Sequence, residues 1–209
     1  MTRILTAISL FICIALPTTA QDRAVDDARG AIEFIETLAT ETQAVWSDSK
    51  LTAQERSDAF RALFEQATDI KLLARGMLGR HYKGLSKELR DEYMAAMRDY
   101  IVAEFDERME RVGFKSLDVV GTKPASGKRG HLFVKTQVLR DEGEPILADW
   151  RVRKKGGEFQ IVNLEFEGIN LMIINRDVFS SRVKKDGIEG LIVWLKSKSA
   201  PTLTASAGE

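Results

Sequence analysis

The sequence predicts an α+β domain in which helices from both ends of the chain pack on a twisted antiparallel sheet of about four strands. In the first half of the chain, apolar residues recur at steps of three and four, which is the spacing of one helix face. After Phe114 they alternate with polar residues, which is the period of a strand. Helices that precede the strands as a block are typical of the α+β class. A strongly twisted sheet can leave an apolar cavity against such helices.

The first twenty residues are predicted to be a secretory signal peptide. Arg3 precedes an apolar run from Ile4 to Leu16, and the small residues Thr18 and Ala20 suit a cleavage site after residue 20. The run is short for a membrane span, so a membrane anchor is the less favoured interpretation. Cleavage would also remove Cys13, the one cysteine of the sequence, and the fold would then depend on its core without a disulfide.

Residues 21–196 are predicted to form a single domain, and residues 197–209 a small, polar, disordered tail. A chain of this length can bury a sizeable core, and a hydrophobic content of 44% is ordinary for a globular protein. The 31 basic and 31 acidic side chains balance each other. This balance gives no indication of nucleic-acid binding.

Two helices are predicted at the start of the domain. The first spans Asp22–Trp46, where apolar residues mark one buried face. The second follows Thr52, whose hydroxyl can form a capping box with the carboxylate of Glu55. Its predicted buried residues are Phe60, Leu63 and Phe64.

Two further helices are predicted before the sheet. One begins near Asp69 and is interrupted by Gly76 and Gly79, which indicate close packing or an early stop. The next is capped by Ser86 and continues to about Arg111.

The predicted strands cover Leu117–Val120, Leu132–Leu139, Ile146–Arg153 and Phe159–Phe166, with turns at the glycines between the later ones. Two short helices are then predicted to close the domain. One follows Asn175 and carries Val178, Phe179 and Val183, and the last carries Ile188, Leu191, Ile192 and Leu195.

Reactive side chains are scarce in this sequence. His81 and His131 are its only imidazoles, and neither lies near a Ser, Cys or paired acid in a motif typical of catalysis. We interpret both as surface or boundary residues. Without a Cys pair or a closely spaced His pair, the sequence predicts no metal site, no cofactor and no enzymatic activity.

Arg151, Arg153, Lys154 and Lys155 form the densest basic group. Their alternation with apolar residues predicts that they face away from the core. A solvated strand face is the favoured interpretation, and contact with phosphate head groups or an acidic partner is the alternative.

Methionines and large aromatic residues are frequent on both helices and strands. Such a pattern is more often ordinary core than ligand pocket, although methionine adapts well to acyl chains.

Several motifs, in order, carry a resemblance to a known family. They are Leu78–Lys83, Tyr93–Tyr100, Ile161–Leu171, Phe179 and Asp186–Leu195. Together they resemble the pattern of the MlaC-type periplasmic phospholipid carriers, also called toluene-tolerance auxiliary proteins. The resemblance covers nearly the whole mature chain. The sequence departs from the family pattern at Asn163, where an acidic residue is expected, and at Asn170, where Ser is usual.

The resemblance implies a monomeric carrier that an N-terminal signal peptide directs to the periplasm. It would hold phospholipid tails between its helices and its curved sheet, while the head group faces water. Its implied partners are phospholipid, an outer-membrane lipoprotein complex and an inner-membrane ABC transporter complex with a lipid-binding subunit.

The apolar faces next to these motifs predict the lining of a lipid pocket. The predicted lining residues are Leu78, Tyr82, Tyr93, Met97, Ile101, Phe105, Leu132, Val134, Trp150, Val152, Leu164 and Phe166. Three alternatives stay open from the sequence. They are a carrier of hopanoid or another lipophile, a small hydrolase or isomerase using His81 or His131 with a carboxylate, and a structural adaptor between membrane complexes.

Overall fold

A computed structural model describes residues 20–125, 130–140 and 142–199 and confirms the α+β class. Within these residues, five α-helices pack on one open antiparallel sheet of five strands, one strand more than the sequence predicts. The helices are α1 Ala20–Ser47, α2 Ala53–Ala67, α3 Ile70–Leu78, α4 Lys87–Val112 and α5 Leu171–Ser199. Residues 1–19 of the predicted signal peptide and residues 200–209 of the predicted tail lie outside the described residues.

The predicted capping box at the start of α2 is confirmed. The Thr52 hydroxyl accepts a hydrogen bond from the Glu55 amide at 3.2 Å, and the Glu55 carboxylate accepts one from the Thr52 amide at 2.9 Å. The bond from the Thr52 backbone, followed by that from its side chain, lowers the pKa of Glu55 below its ordinary value. Phe60 and Phe64 are buried as predicted, whereas Leu63 is only half-buried because it lies at the edge of the α1–α2 contact.

The two glycines of α3 account for its length and its packing. Gly79 has a positive φ of 59° and ends the helix, after which a short 3-10 helix spans Gly79–Gly84. A Cβ atom on Gly76 would lie 2.7 Å from the sulfur of Met172, so only glycine allows α5 to approach this closely. The expectations of close packing and of an early stop both hold, each at a different glycine.

The strands are β1 Phe114–Pro124, β2 His131–Arg140, β3 Ile146–Lys155, β4 Glu158–Phe166 and β5 Ile169–Asn170, and each pairs antiparallel with the next. The additional strand, β5, follows a two-residue turn in which Glu167 and Gly168 have φ values of 51° and 74°. Two left-handed residues match the twist of a tight hairpin. A two-residue strand is too short to show alternation, so the sequence pattern missed it.

Helix α5 begins earlier than the sequence predicts. It starts at Leu171 because the Asn170 side chain accepts a hydrogen bond from the Ile173 amide at 3.2 Å and caps the helix. The two predicted closing helices form one helical segment that breaks at Gly187, where φ is 72° and ψ is −178°.

Buried apolar side chains form two clusters. The helical core lies among α2, α3, α4 and α5, and its largest fully buried side chains include Tyr93, Met97 and Phe179. The sheet core lies between α1 and the inner face of the sheet, and it includes Ile35, Val134, Val138, Trp150 and Val152. Phe105 on α4 packs against both clusters, so α4 joins the helical layer to the sheet.

Candidate functional site

Two small apolar cavities lie between the helices and the inner face of the sheet. The α1 cavity has a volume of about 30 Å³, and its lining includes Ile35, Leu38, Thr42, Phe60, Leu117 and Val138. The α5 cavity has a volume of about 80 Å³, and its lining includes Leu73, Met77, Ile101, Ile161, Leu164 and Leu171. Both cavities lie where helices meet strands, which is where the predicted cavity was expected.

Three aromatic residues, Phe64, Phe105 and Trp150, line both cavities and form the partition between them. The Phe105 ring centroid lies 5.1 Å from that of Phe64 and 6.1 Å from that of Trp150. The Trp150 indole donates a hydrogen bond to the Thr136 hydroxyl at 3.1 Å, and this hydroxyl donates to the Ala148 carbonyl at 2.7 Å. Trp150 is thus tied to the sheet, whereas Phe105 is held by packing alone. Of these two rings, that of Phe105 is therefore the less constrained.

The lining of the α5 cavity also includes four polar side chains, Glu104, Arg108, Asn163 and Asn175. The Tyr100 hydroxyl donates a hydrogen bond to the Asn175 side-chain oxygen at 3.2 Å. Burial raises the pKa of Tyr100, so its hydroxyl stays protonated at neutral pH. An apolar cavity that carries a few polar side chains suits an amphipathic ligand.

The structure brings four of the predicted lining residues to the cavities. Ile101, Phe105 and Leu164 line the α5 cavity, and Trp150 lines both cavities together with Phe105. These four come from α4, β3 and β4, so residues far apart in sequence meet at one helix–sheet interface.

The other predicted lining residues lie elsewhere. Leu78, Tyr93 and Met97 are buried in the helical core, where the Tyr93 hydroxyl donates to the Ala74 carbonyl at 2.8 Å and burial raises its pKa. Val134 and Val152 are fully buried in the sheet core. Half-buried residues that pack against the sheet core include Leu132 and Phe166, and Tyr82 faces a groove outside α3.

Sequence reasoning missed much of the lining. The α1 side chains Ile35 and Leu38, the β1 side chain Leu117 and the α3 side chain Met77 all face the cavities. The apolar face of α1 was the available signal, because its spacing predicted a buried stripe. Nothing in that spacing shows that the stripe meets the sheet beside a cavity.

A larger groove, about 510 Å³ in volume, lies outside α3 and the start of α5. We call it the basic groove, because its lining includes Arg75, Lys83, Arg151 and Arg176. It also includes the neutral amides Asn163 and Asn170 and the ring of Tyr82.

The basic group that the sequence analysis singled out divides in the structure. Arg153 pairs with Asp69, and Lys154 pairs with Asp27 at 2.8 Å, so these two cations attach the sheet to α3 and α1. Arg151 instead lies in the basic groove, with its guanidinium 5.6 Å from the ring centroid of Phe133. The interpretation as a wholly solvated face was therefore too simple, since two members of the group form ion pairs.

The histidines lie apart from the cavities. The His81 ring nitrogen Nε2 is 3.5 Å from the Ser180 hydroxyl oxygen, and His131 lines the basic groove. Among the described residues, no cluster of three or more His, Cys, Asp or Glu could hold a metal ion. No helix in the same part of the chain is long and apolar enough to cross a membrane.

Comparison with known proteins identifies the family. Residues 36–197 match the MlaC protein family, which is more than half of the chain. The chain belongs to the MlaC protein family. A solved structure of the phospholipid-binding protein from Ralstonia solanacearum, in complex with a phospholipid, is 18% identical to this MlaC family member and has a TM-score of 0.67. The match covers 80% of this chain and 95% of that chain, and at this identity it establishes the shared fold.

Proposed function

We propose that this MlaC family member is a monomeric periplasmic carrier that binds the acyl chains of a phospholipid between its helices and its sheet. It would exchange lipid between an outer-membrane lipoprotein complex and an inner-membrane ABC transporter complex with its lipid-binding subunit. The observation that carries the proposal is the pair of apolar cavities at the helix–sheet interface, one of which also has polar side chains in its lining. The phospholipid bound to the Ralstonia protein of the same fold supports this choice of ligand.

The physical need for such a carrier follows from the cost of exposing acyl chains to water. Each buried methylene contributes about 0.8 kcal/mol, so two long chains together cost more than about 20 kcal/mol when exposed. Unassisted crossing of an aqueous compartment would therefore be very slow. Apolar contacts of adjustable shape shield the chains without fixing them as strongly as polar clamps would.

The cavities must enlarge before acyl chains can enter. Their volumes of about 30 and 80 Å³ are well below the roughly 300 Å³ at the lower end of small-molecule sites. The lining includes side chains that can yield, because Phe105 has no polar anchor and Met77 is flexible. We propose that Ile101, Phe105, Trp150 and Leu164 contact lipid directly, and that the other predicted lining residues support them from the surrounding layers.

Lipid extraction from the purified mature protein, followed by mass spectrometry, tests the proposal. We expect glycerophospholipid in a defined ratio to protein, and retention of hopanoid instead would favour the alternative cargo. Leu117→Arg introduces a cation into the α1 cavity from a half-buried position that lets the side chain extend to water, and it should reduce bound lipid at least tenfold. Val120→Arg is the matched control, because Val120 lies on the same strand and is 52% exposed.

Transfer of labelled phospholipid between donor and acceptor vesicles tests the carrier step separately. The wild-type protein should accelerate transfer, and Leu117→Arg should not. Equal lipid retention by Leu117→Arg, Val120→Arg and the wild type would refute a binding site at the helix–sheet interface.

A further inference from the structure

We infer that the basic groove is a binding site for a phosphate-bearing anion, and that the phosphate of a lipid head group is its ligand. The assignment of the phosphate to a lipid rests on the proposed carrier function. The groove lies on the outer side of α3, whereas the α5 cavity lies on its inner side.

The positive charge of the groove is contributed by four separate elements. Arg75 comes from α3, Lys83 from the 3-10 helix, Arg151 from β3 and Arg176 from α5. The described lining of the groove contains no carboxylate. Over the described ranges, Arg75, Lys83 and Arg176 form no ion pair, in contrast to nearby Arg153, which pairs with Asp69. These three cations, without carboxylate partners in one concave site, favour an anionic ligand.

The guanidinium groups of the groove are held in position by contacts with the protein, and that of Arg176 keeps donors for a ligand. The Arg176 Nε donates to the Gly76 carbonyl at 2.8 Å, which uses one of its five donors. Arg75 lies 5.3 Å from the ring centroid of Tyr82 and Arg151 lies 5.6 Å from that of Phe133. A planar guanidinium fixed in this way matches the oxygen geometry of phosphate, and its binding costs little side-chain entropy.

The groove and the α5 cavity share a thin wall formed by α3 and the first turn of α5. Met77 and Leu171 lie on the cavity side of this wall, whereas Gly76 and Met172 lie on the groove side. Asn163 lines both spaces. A phospholipid with its tails in the α5 cavity can therefore place its phosphate in the groove beside Asn163, the residue that the two linings share.

The rim of the groove is apolar, which favours a lipid over a free ion. Ile173 lines the groove and is 54% exposed, and the neighbouring Ile174 and Ile169 are 47% and 49% exposed. Exposed aliphatic side chains beside a cationic groove fit an amphipathic ligand at a lipid–water boundary. Inorganic phosphate would gain nothing from them.

The test compares two lipids that share acyl chains but differ in phosphate. Wild-type protein and Arg75→Gln/Lys83→Gln are incubated with vesicles containing equal amounts of dioleoyl phosphatidic acid and dioleoylglycerol, and retained lipids are quantified by mass spectrometry. We expect the double variant to lower the ratio of retained phosphatidic acid to dioleoylglycerol by about tenfold or more, because it removes two charge-assisted contacts.

Two single variants accompany the double variant, one inside the groove and one outside it as the control. Lys83→Gln changes an exposed side chain of the groove, and it should lower the ratio in the same direction. Lys115→Gln neutralises an exposed lysine on β1, at the opposite edge of the sheet, and should leave the ratio unchanged. Thermal melting of each variant shows whether it is folded.

The outcomes separate the groove from the carrier function. If both lipids bind all variants in the wild-type ratio, the groove is not a phosphate site, but the carrier function stands. If the wild-type protein retains neither lipid, the carrier function fails. Titration calorimetry with inorganic phosphate then tests whether the groove binds an anion. Phosphate binding that Arg75→Gln/Lys83→Gln abolishes without changing the lipid ratio would support an anion site but overturn the assignment to a lipid head group.

Discussion

The helical core and the helix–sheet interface use similar apolar side chains but pack them differently. In the helical core, Tyr93, Met97 and Phe179 are fully buried and border neither cavity. At the interface, Phe105, Leu117 and Leu164 are only half-buried and line cavities. Dense packing resists the entry of a ligand, whereas half-buried side chains beside a void can move aside. Side chains that are fully buried away from both cavities are therefore the least suited to contact lipid.

The largest expected effect comes from the helical core. The Phe179 ring lies 5.9 Å from that of Tyr100 and 6.2 Å from that of Trp194. Phe179→Ala should lower the free energy of unfolding by about 3–5 kcal/mol, because it leaves a cavity in close-packed surroundings. Urea unfolding measures this loss, and the lipid bound per folded molecule should not change. Loss of lipid from the folded variant would show that the helical core contributes directly to binding.

Gly76→Val tests the close contact between α3 and α5. The new side chain would meet the Met172 sulfur, whose distance from an ideal Cβ atom is 2.7 Å, and should destabilise the protein by about 1–3 kcal/mol. Met172→Ala in the same chain should restore part of this loss by removing the obstructing atoms. A double variant no more stable than Gly76→Val would mean that the cost comes from the helix backbone instead. Urea unfolding of the two single variants and the double variant makes the comparison.

Phe105→Leu is the matching change at the interface. It shortens the partition between the cavities and should lower the free energy of unfolding by about 1 kcal/mol, less than Phe179→Ala, because the ring is already half-buried. Vesicle transfer assays should show faster lipid uptake, since the two cavities then connect. A stability loss equal to that of Phe179→Ala would show that the interface is packed as tightly as the helical core.

The smallest effect is expected at the capping box, whose residues Thr52 and Glu55 are exposed. The hydrogen bonds from Thr52 lower the pKa of Glu55 in the folded state, so their contribution is present above its ordinary value of 4.5. It is lost as the pH falls through the lower folded-state value. Glu55→Gln should therefore lower the melting temperature slightly at pH 7, and the difference from wild type should shrink as the pH falls through the folded-state pKa of Glu55. A difference that persists at low pH would assign the effect to helix propensity.

Local sequence patterns predicted most elements because their causes are local. The capping box of Thr52 and Glu55 lies within four residues, and the spacing of apolar side chains reports one helix face or one strand face. Strand β5 escaped prediction because two residues show no period. The start of α5 was misplaced because Asn170, which is an ordinary polar residue in the sequence, turned out to be its cap.

The predicted pocket lining shows what local sequence patterns cannot predict. Met97 and Val134 occupy apolar faces just as Ile101 and Trp150 do, yet both are fully buried away from the cavities. A charged residue at Met97 or Val134 would be expected to unfold the protein, so neither position can test lipid binding alone. Periodicity identifies the buried face, but it does not distinguish close packing from a cavity wall.

The sequence by itself determined the fold class, the order of the elements and the family to which its motifs belong. These depend on periodicity and on short motifs, which are local features of the sequence. Only the tertiary structure decided where the cavities lie and that cations from four elements meet in one groove. Voids and charged sites arise from the distances between elements, and those distances are set by contacts such as that between Gly76 and Met172.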